Sequence, residues 1–159
     1  MNETLIRNWN SRVKPEDTIY VIGDVCMGPK EEWPSFTSQL QGKKILVLGN
    51  HDIVKPSYLK GRTIERFWQD LGFAEVYEEL VIEDGETKLF LKHKPLIGWK
   101  EKYPECKLHL CGHVHKAFMY DNVNKIYNVG VDVNGFSPII IENIKENIDF
   151  GNQLKELWI

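Results

Sequence analysis

The chain has 159 residues, 42% of them hydrophobic, which is enough for one domain with a real core. Its net charge of -3 excludes a bulk attraction to nucleic acid or to an anionic membrane, so an anionic ligand has to be held by local groups or by a metal ion. No apolar run approaches the roughly 20 residues of a membrane span, and the polar start MNETLIRNWN has no signal-peptide core.

The spacing of Leu5, Ile6, Trp9 and Val13 predicts a helix over Asn2–Val13, capped by Asn2. Thr18–Ile22 reads as a strand ending at Gly23-Asp24. Pro29–Gln41 is expected as a helix with proline at its start. Lys44–Leu48 is a second strand, ending at Gly49-Asn50, and Thr63–Leu71 a helix stopped by Gly72. Val76–Ile82 and Lys88–Leu91 flank Glu83-Asp84-Gly85-Glu86, a hairpin signal, and the second of these strands runs into His93. Lys107–Cys111 runs into Gly112-His113-Val114-His115. Strands are expected at Ala117–Tyr120, Lys125–Val129 and Pro138–Ile141, followed by an acidic amphipathic tail. With no repeat or linker, the alternation reads as a single α/β domain over residues 1–159 with mixed sheets.

Four β runs thus end at Asp24, Asn50, His93 and His113/His115. Open α/β folds place ligands at the carboxyl ends of strands, so these ends can converge. One carboxylate, one carboxamide and several imidazoles form a mixed N/O donor set. That set suits Mn, Zn, Fe, Co or Ni, and neither calcium nor a thiolate site. A bound ion would polarise a phosphoryl oxygen and lower the pKa of water, and a spare histidine could protonate the leaving oxygen. Singly these features are weak: GD is usually a turn, and i,i+2 histidines also occur on exposed strands.

Other residues read as structural. His109 sits inside LHL, the tryptophans pack, and Asp132 suits a turn at least as well as a cleft. Trp99 and the lysines near His93 could line a substrate pocket, with packing and a solvated face as the plainer readings. The three cysteines, Cys26, Cys106 and Cys111, form no CxxC and cannot all pair. A disulfide framework is therefore not expected, and a cytoplasmic location is.

The order GD, GNHD, H, GHVH resembles the calcineurin-like metallophosphoesterases, in particular their small stand-alone bacterial or phage branch. The resemblance covers nearly the whole chain. It implies two facing mixed β-sheets flanked by helices, a four-layer sandwich. It makes Asp24 a bridge between two metals, with Asn50, His93 and His113 completing one site and His115 belonging to the other. It places His51 beside the substrate as general acid or phosphate contact, with Asp52 orienting it. The family's first motif, an Asp-x-His ending an N-terminal strand, has no counterpart in this sequence. One well-formed metal site and an incomplete second one are therefore expected, with the first strand missing and self-association possible. The implied activity is metal-dependent hydrolysis of a small phosphodiester or nucleotide-type ester by metal-bound hydroxide, with manganese as one candidate ion. Neither a membrane nor a nucleic acid partner is expected. The alternative is a non-catalytic metal- or phosphate-binding relic that acts through a partner.

Overall fold

The computed structural model describes residues 2–156. Helix α1 (Asn2–Asn10) is followed by β1 (Thr18–Ile22), then by a 3-10 turn at Lys30–Glu32 and α2 (Trp33–Thr37). Next come β2 (Lys43–Val47), α3 (Pro56–Leu59), α4 (Ile64–Asp70), β3 (Phe73–Tyr77), β4 (Leu80–Asp84) and β5 (Thr87–Leu91). The chain continues through α5 (Trp99–Lys102), β6 (Cys106–Cys111), a 3-10 turn at His115–Ala117, β7 (Tyr120–Asp121), β8 (Ile126–Asn128) and α6 (Ile141–Glu156).

The strands form two sheets, one of three strands in the order β1-β2-β3 and one of five in the order β4-β5-β6-β8-β7. The second is mixed, as expected: β4 pairs antiparallel with β5, while β5, β6 and β8 run parallel. The first is parallel throughout. Its strands therefore need helical crossovers, and Lys44–Val47 is buried on both faces as parallel strands usually are. β1 is an edge strand, and among the described residues β2 is its only strand partner.

Alternation along the strands builds three cores. Ile22 and Val47 of the parallel sheet meet Leu89, Leu91, Leu108, Leu110 and Tyr127 of the mixed sheet, so the two sheets face each other. Leu46, one residue from Val47, points the other way into Trp33, Phe67, Trp68 and Phe73 under α2 and α4. Phe90 and Ile126 turn away from the central core toward Trp99 of α5. The result is helix, sheet, sheet, helix.

Four expected elements differ, the first being the strand at Ala117–Tyr120, where a 3-10 turn ends at Ala117 and β7 begins only at Tyr120. Val76–Ile82 is not one strand: it breaks at Glu78-Glu79, leaving β3 in the parallel sheet and β4 in the mixed one. Glu79 is held there by Lys92, Lys102 and Tyr103, contacts between distant segments that a local pattern cannot show. Pro29–Gln41 forms only a 3-10 turn and a short α2. Pro34 there lacks the amide that a longer helix would need inside its second turn. Pro138–Ile141 is not a strand; Ile141 opens α6, which sends Ile144 into the central core. No helix among the described residues is long and apolar enough to cross a membrane.

Candidate metal centre

Asp24, His93 and His113 converge, with one donor atom from each lying within 4.8 Å of the others. Asp24 leaves the end of β1, while His93 and His113 leave β5 and β6. The cluster therefore bridges the carboxyl ends of strands from both sheets. Three candidate residues hold left-handed backbone, at φ 53° for Asp24, 67° for His113 and 47° for His115. Such conformations cost about 1–3 kcal/mol each and persist only where the surroundings enforce them. Two glycines make the approach possible. Gly23, at φ 76°, passes so close to Gly49 and His93 that a Cβ would collide with both. A Cβ on Gly49 would strike Asp24.

His93 is nearly fully buried, and its Nδ1 lies 2.9 Å from the Ile22 carbonyl oxygen. A carbonyl only accepts, so Nδ1 carries a proton and donates, which leaves Nε2 as the ring nitrogen that faces the site. Nε2 is buried, makes no hydrogen bond, and lies 3.1 Å from Asp24 Oδ2. In the neutral ring two lone pairs face each other at that distance and repel unless a cation sits between them. Two donors on one ion at about 2.1 Å each stand about 3.0–3.4 Å apart in tetrahedral or octahedral geometry. The pair therefore fits a shared metal ion, with Ile22 fixing the ring behind it as such ligands require. His113 packs edge-on to His93, with ring centroids 5.1 Å apart. Partial desolvation, then His93 and Lys94, hold its imidazole below the ordinary histidine pKa, which favours the neutral, ligating form. Burial pushes the thiols of Cys26 and Cys111 up to about 12, which removes both as thiolate ligands.

The GNHD turn supports this cluster from below. The His51 amide donates to Asp24 Oδ1 at 2.9 Å, and Asn50 precedes it on the same exposed turn. The imidazole of His51 belongs to an exposed residue. Asp52 was expected to orient His51, but its carboxylate is committed elsewhere. It accepts from the amides of Asp24 at 2.8 Å, Val25 at 2.9 Å and Gly49 at 2.7 Å, in a fully buried position. Burial raises its pKa against the pull of those three amides. Asp52 thus clamps the end of β1 to the end of β2, a role signalled in the sequence only by an acid placed between His51 and the apolar Ile53-Val54.

His115 does not join the cluster of Asp24, His93 and His113. Its side chain is 86% exposed, and Nδ1 lies 3.0 Å from Asp132 Oδ2. The turn around Asp132 is tied to the His115 loop by buried Asn128, whose amide nitrogen donates to the carbonyls of His115 and Phe118. His109 is structural, as expected: Nδ1 donates to the Phe90 carbonyl, and Nε2 accepts from the Leu96 amide. Trp99 is buried against Phe90 and donates to the Asn124 carbonyl. The three cysteines are buried and unpaired.

No family-level sequence model matches the chain. It is 25% identical over 162 aligned residues to the uncharacterized protein MJ1445 of Methanocaldococcus jannaschii, spanning 99% of this chain and 80% of that one. The Gene 66 protein of Mycobacterium phage D29 is 22% identical over 158 aligned residues, covering 89% of this chain and 79% of its own. Among solved structures, the protein of unknown function AQ665 from Aquifex aeolicus superposes with a TM-score of 0.63 at 28% identity, over 91% of this chain and 83% of that one. The likeness extends more loosely to a conserved Streptococcus pneumoniae protein described as a predicted phosphoesterase. There the TM-score is 0.44 at 20% identity, over 81% of this chain and 65% of that one. The first three establish distant homology and a shared fold, and none of them carries a named activity.

Proposed function

We propose that the chain is a metal-dependent phosphoesterase of the calcineurin-like kind, acting on a small phosphodiester or nucleotide-type ester. The observation that carries this reading is the buried, unpartnered Nε2 of His93 facing Asp24, with His113 alongside. Asp24, His93 and His113 would hold the ion, with Asn50 supplying a fourth donor from the adjoining turn. A divalent transition metal there supplies Lewis acidity toward a phosphoryl oxygen and water of lowered pKa.

The chain's own residues provide the rest. The His51 amide holds one oxygen of Asp24, which leaves the other for the site. Its exposed imidazole, on the rim of the centre, protonates the leaving oxygen or steadies the phosphate. Asp52 keeps the two strand ends in register, so that His51 and Asp24 stay in place. Asp132 holds the ring of His115.

The test is hydrolysis of an aryl phosphodiester and an aryl phosphomonoester with added manganese. Wild-type protein should turn over at least one of them. His93→Ala should lose metal and activity together. His51→Ala should retain the metal and lose turnover by about 100-fold or more, the worth of a general acid. A His51→Ala protein that loses metal as readily as His93→Ala would overturn its assigned role. A second reading, a metal- or phosphate-binding module without turnover, is favoured by the thin second cation set. Asp24 and His115 alone would serve it, and His115 already faces Asp132. Metal retention without hydrolysis of either ester supports that reading.

A further inference from the structure

Resting on the phosphoester reading of the centre, we propose that the groove beside it is a second anion subsite. It would hold a phosphate other than the scissile one, in a substrate that carries both.

The groove lies along the segments that follow β1 and β2, with α4 as a further wall. The loop leaving β1 carries Asp24 and, six residues on, Lys30; the turn leaving β2 carries Asp52 and, six residues on, Tyr58. The Asp52 carboxylate ties the loops together at Asp24 and Val25. Beyond that clamp they enclose a groove of about 360 Å³, walled by Lys30, Tyr58, Lys60, Arg62 and Phe67. Buried tryptophans lie between the groove and the Asp52 clamp. The Trp68 indole donates to the Asp52 carbonyl at 3.1 Å and stacks on Trp33 at 5.2 Å, and the Lys30 ammonium lies 3.9 Å over the Trp33 ring. Two exposed apolar residues, Met27 and Ile53, stand on the same loops between the two places.

The charges in the groove are unevenly satisfied. Asp70 is held by Arg62 at 2.8 Å and by Arg66 at 2.9 Å. Lys30 and Lys60 have no carboxylate partner among the described residues. Glu31 is the remaining acid on the groove wall. In a chain of net charge -3, two unpaired ammonium groups in one groove make a local anion trap. Lys30 is steadied by the rings of Trp33 and Tyr58, which lowers the entropy cost of holding an anion there. The exposed Tyr58 also offers a ring face on which a base can stack. Cations beside an aromatic face suit a nucleotide diester that bears a further phosphate.

The test reads binding rather than turnover. Full-length protein stripped of metal is titrated calorimetrically with a dinucleotide that carries a 5′-terminal phosphate, and with the same dinucleotide lacking it. Wild type should bind the phosphorylated form about tenfold more tightly, the worth of charge-assisted hydrogen bonds. The Lys30→Gln/Lys60→Gln protein should lose that preference, and His93→Ala should keep it. Lys60 is exposed and Lys30 half-buried over the Trp33 ring, so a thermal melt checks that the double variant is folded. Equal affinity of wild type for the two ligands, no binding of either, or a preference that survives the double substitution would overturn the subsite. Absence of hydrolysis by metal-loaded wild type would count instead against the phosphoester centre, since the phosphate preference is measured without metal.

Discussion

At the scale of single residues, the candidate ligands were visible in the sequence because each follows a β run directly. Asp24, His93 and His113 are named by that pattern, and the fold brings them together. Asp52 was visible as well, but its task was not. A carboxylate that accepts from three amides of two distant loops can be recognised only once the loops are side by side. Its contribution is correspondingly large. Asp52→Ala would leave the amides of Asp24 and Val25, half-buried, and of Gly49, buried, without a partner. Each orphaned donor costs about 1–3 kcal/mol. Partial relaxation and water entry should bring the total to about 3 kcal/mol. Denaturant unfolding of the metal-free protein measures this, and a loss below about 1 kcal/mol would show that the clamp does little. Asp52→Ala should also loosen metal binding, since Asp24 loses its backbone anchor.

At the scale of elements, patterning located most strands to within a residue or two and failed where the context is non-local. β1 lies over Thr18–Ile22 as read, and β6 needed one residue more. Two-residue alternation reports a half-buried strand whatever its partner, so it could not show that β3 and β4 belong to different sheets. The short Pro138–Ile141 run is equally apolar in a strand or a helix start, and only its packing against the central core decides. β6 also carries a pH-sensitive group. Burial holds the pKa of His109 below its ordinary 6.5. The unfolded chain therefore binds the proton more readily than the folded one. The associated stability is fully present above about 6.5, begins to fall as pH drops through that value, and is lost by the lower folded pKa. His113 shifts in the same direction and adds to the slope. Metal-free protein should melt at a lower temperature at pH 5 than at pH 7.5. In His109→Gln, which can still donate to one carbonyl and accept from one amide, the difference should shrink. An unchanged pH dependence in that variant would mean that other groups dominate. The edge strand β1 supplies a separate expectation. With β2 on one side only, its unpaired backbone invites the same strand of a second copy. Sedimentation over a range of concentrations should show reversible dimers, and a monomer at every concentration would rule that pairing out.

At the scale of the whole molecule, the important property is that the candidate ligands come from both sheets. Asp24 ends a strand of the parallel sheet, and His93 and His113 follow strands of the mixed sheet. Without an ion, the two sheets are held by the shared core around Val47, Leu91 and Tyr127, and His93 Nε2 and Asp24 Oδ2 face each other uncompensated. An ion at this point removes that repulsion and joins the sheets where their strand ends would otherwise separate most easily. The unfolded chain scatters the same donors over ninety positions of sequence and cannot match the site, so binding favours the folded state by mass action. At a free ion concentration 100 times the dissociation constant the gain is about 2.7 kcal/mol. For a chain of this size it corresponds to a rise of roughly 5–10 °C in melting temperature. Manganese or zinc should therefore raise the melting temperature of wild type as a single cooperative transition, and elemental analysis after dialysis should find one ion per chain. His93→Ala should show no rise. A metal-induced rise that persists in His93→Ala would place the ion elsewhere. Two separate transitions with metal present would show that the ligands do not couple the sheets. Either result would contradict the convergence on which the proposed activity depends.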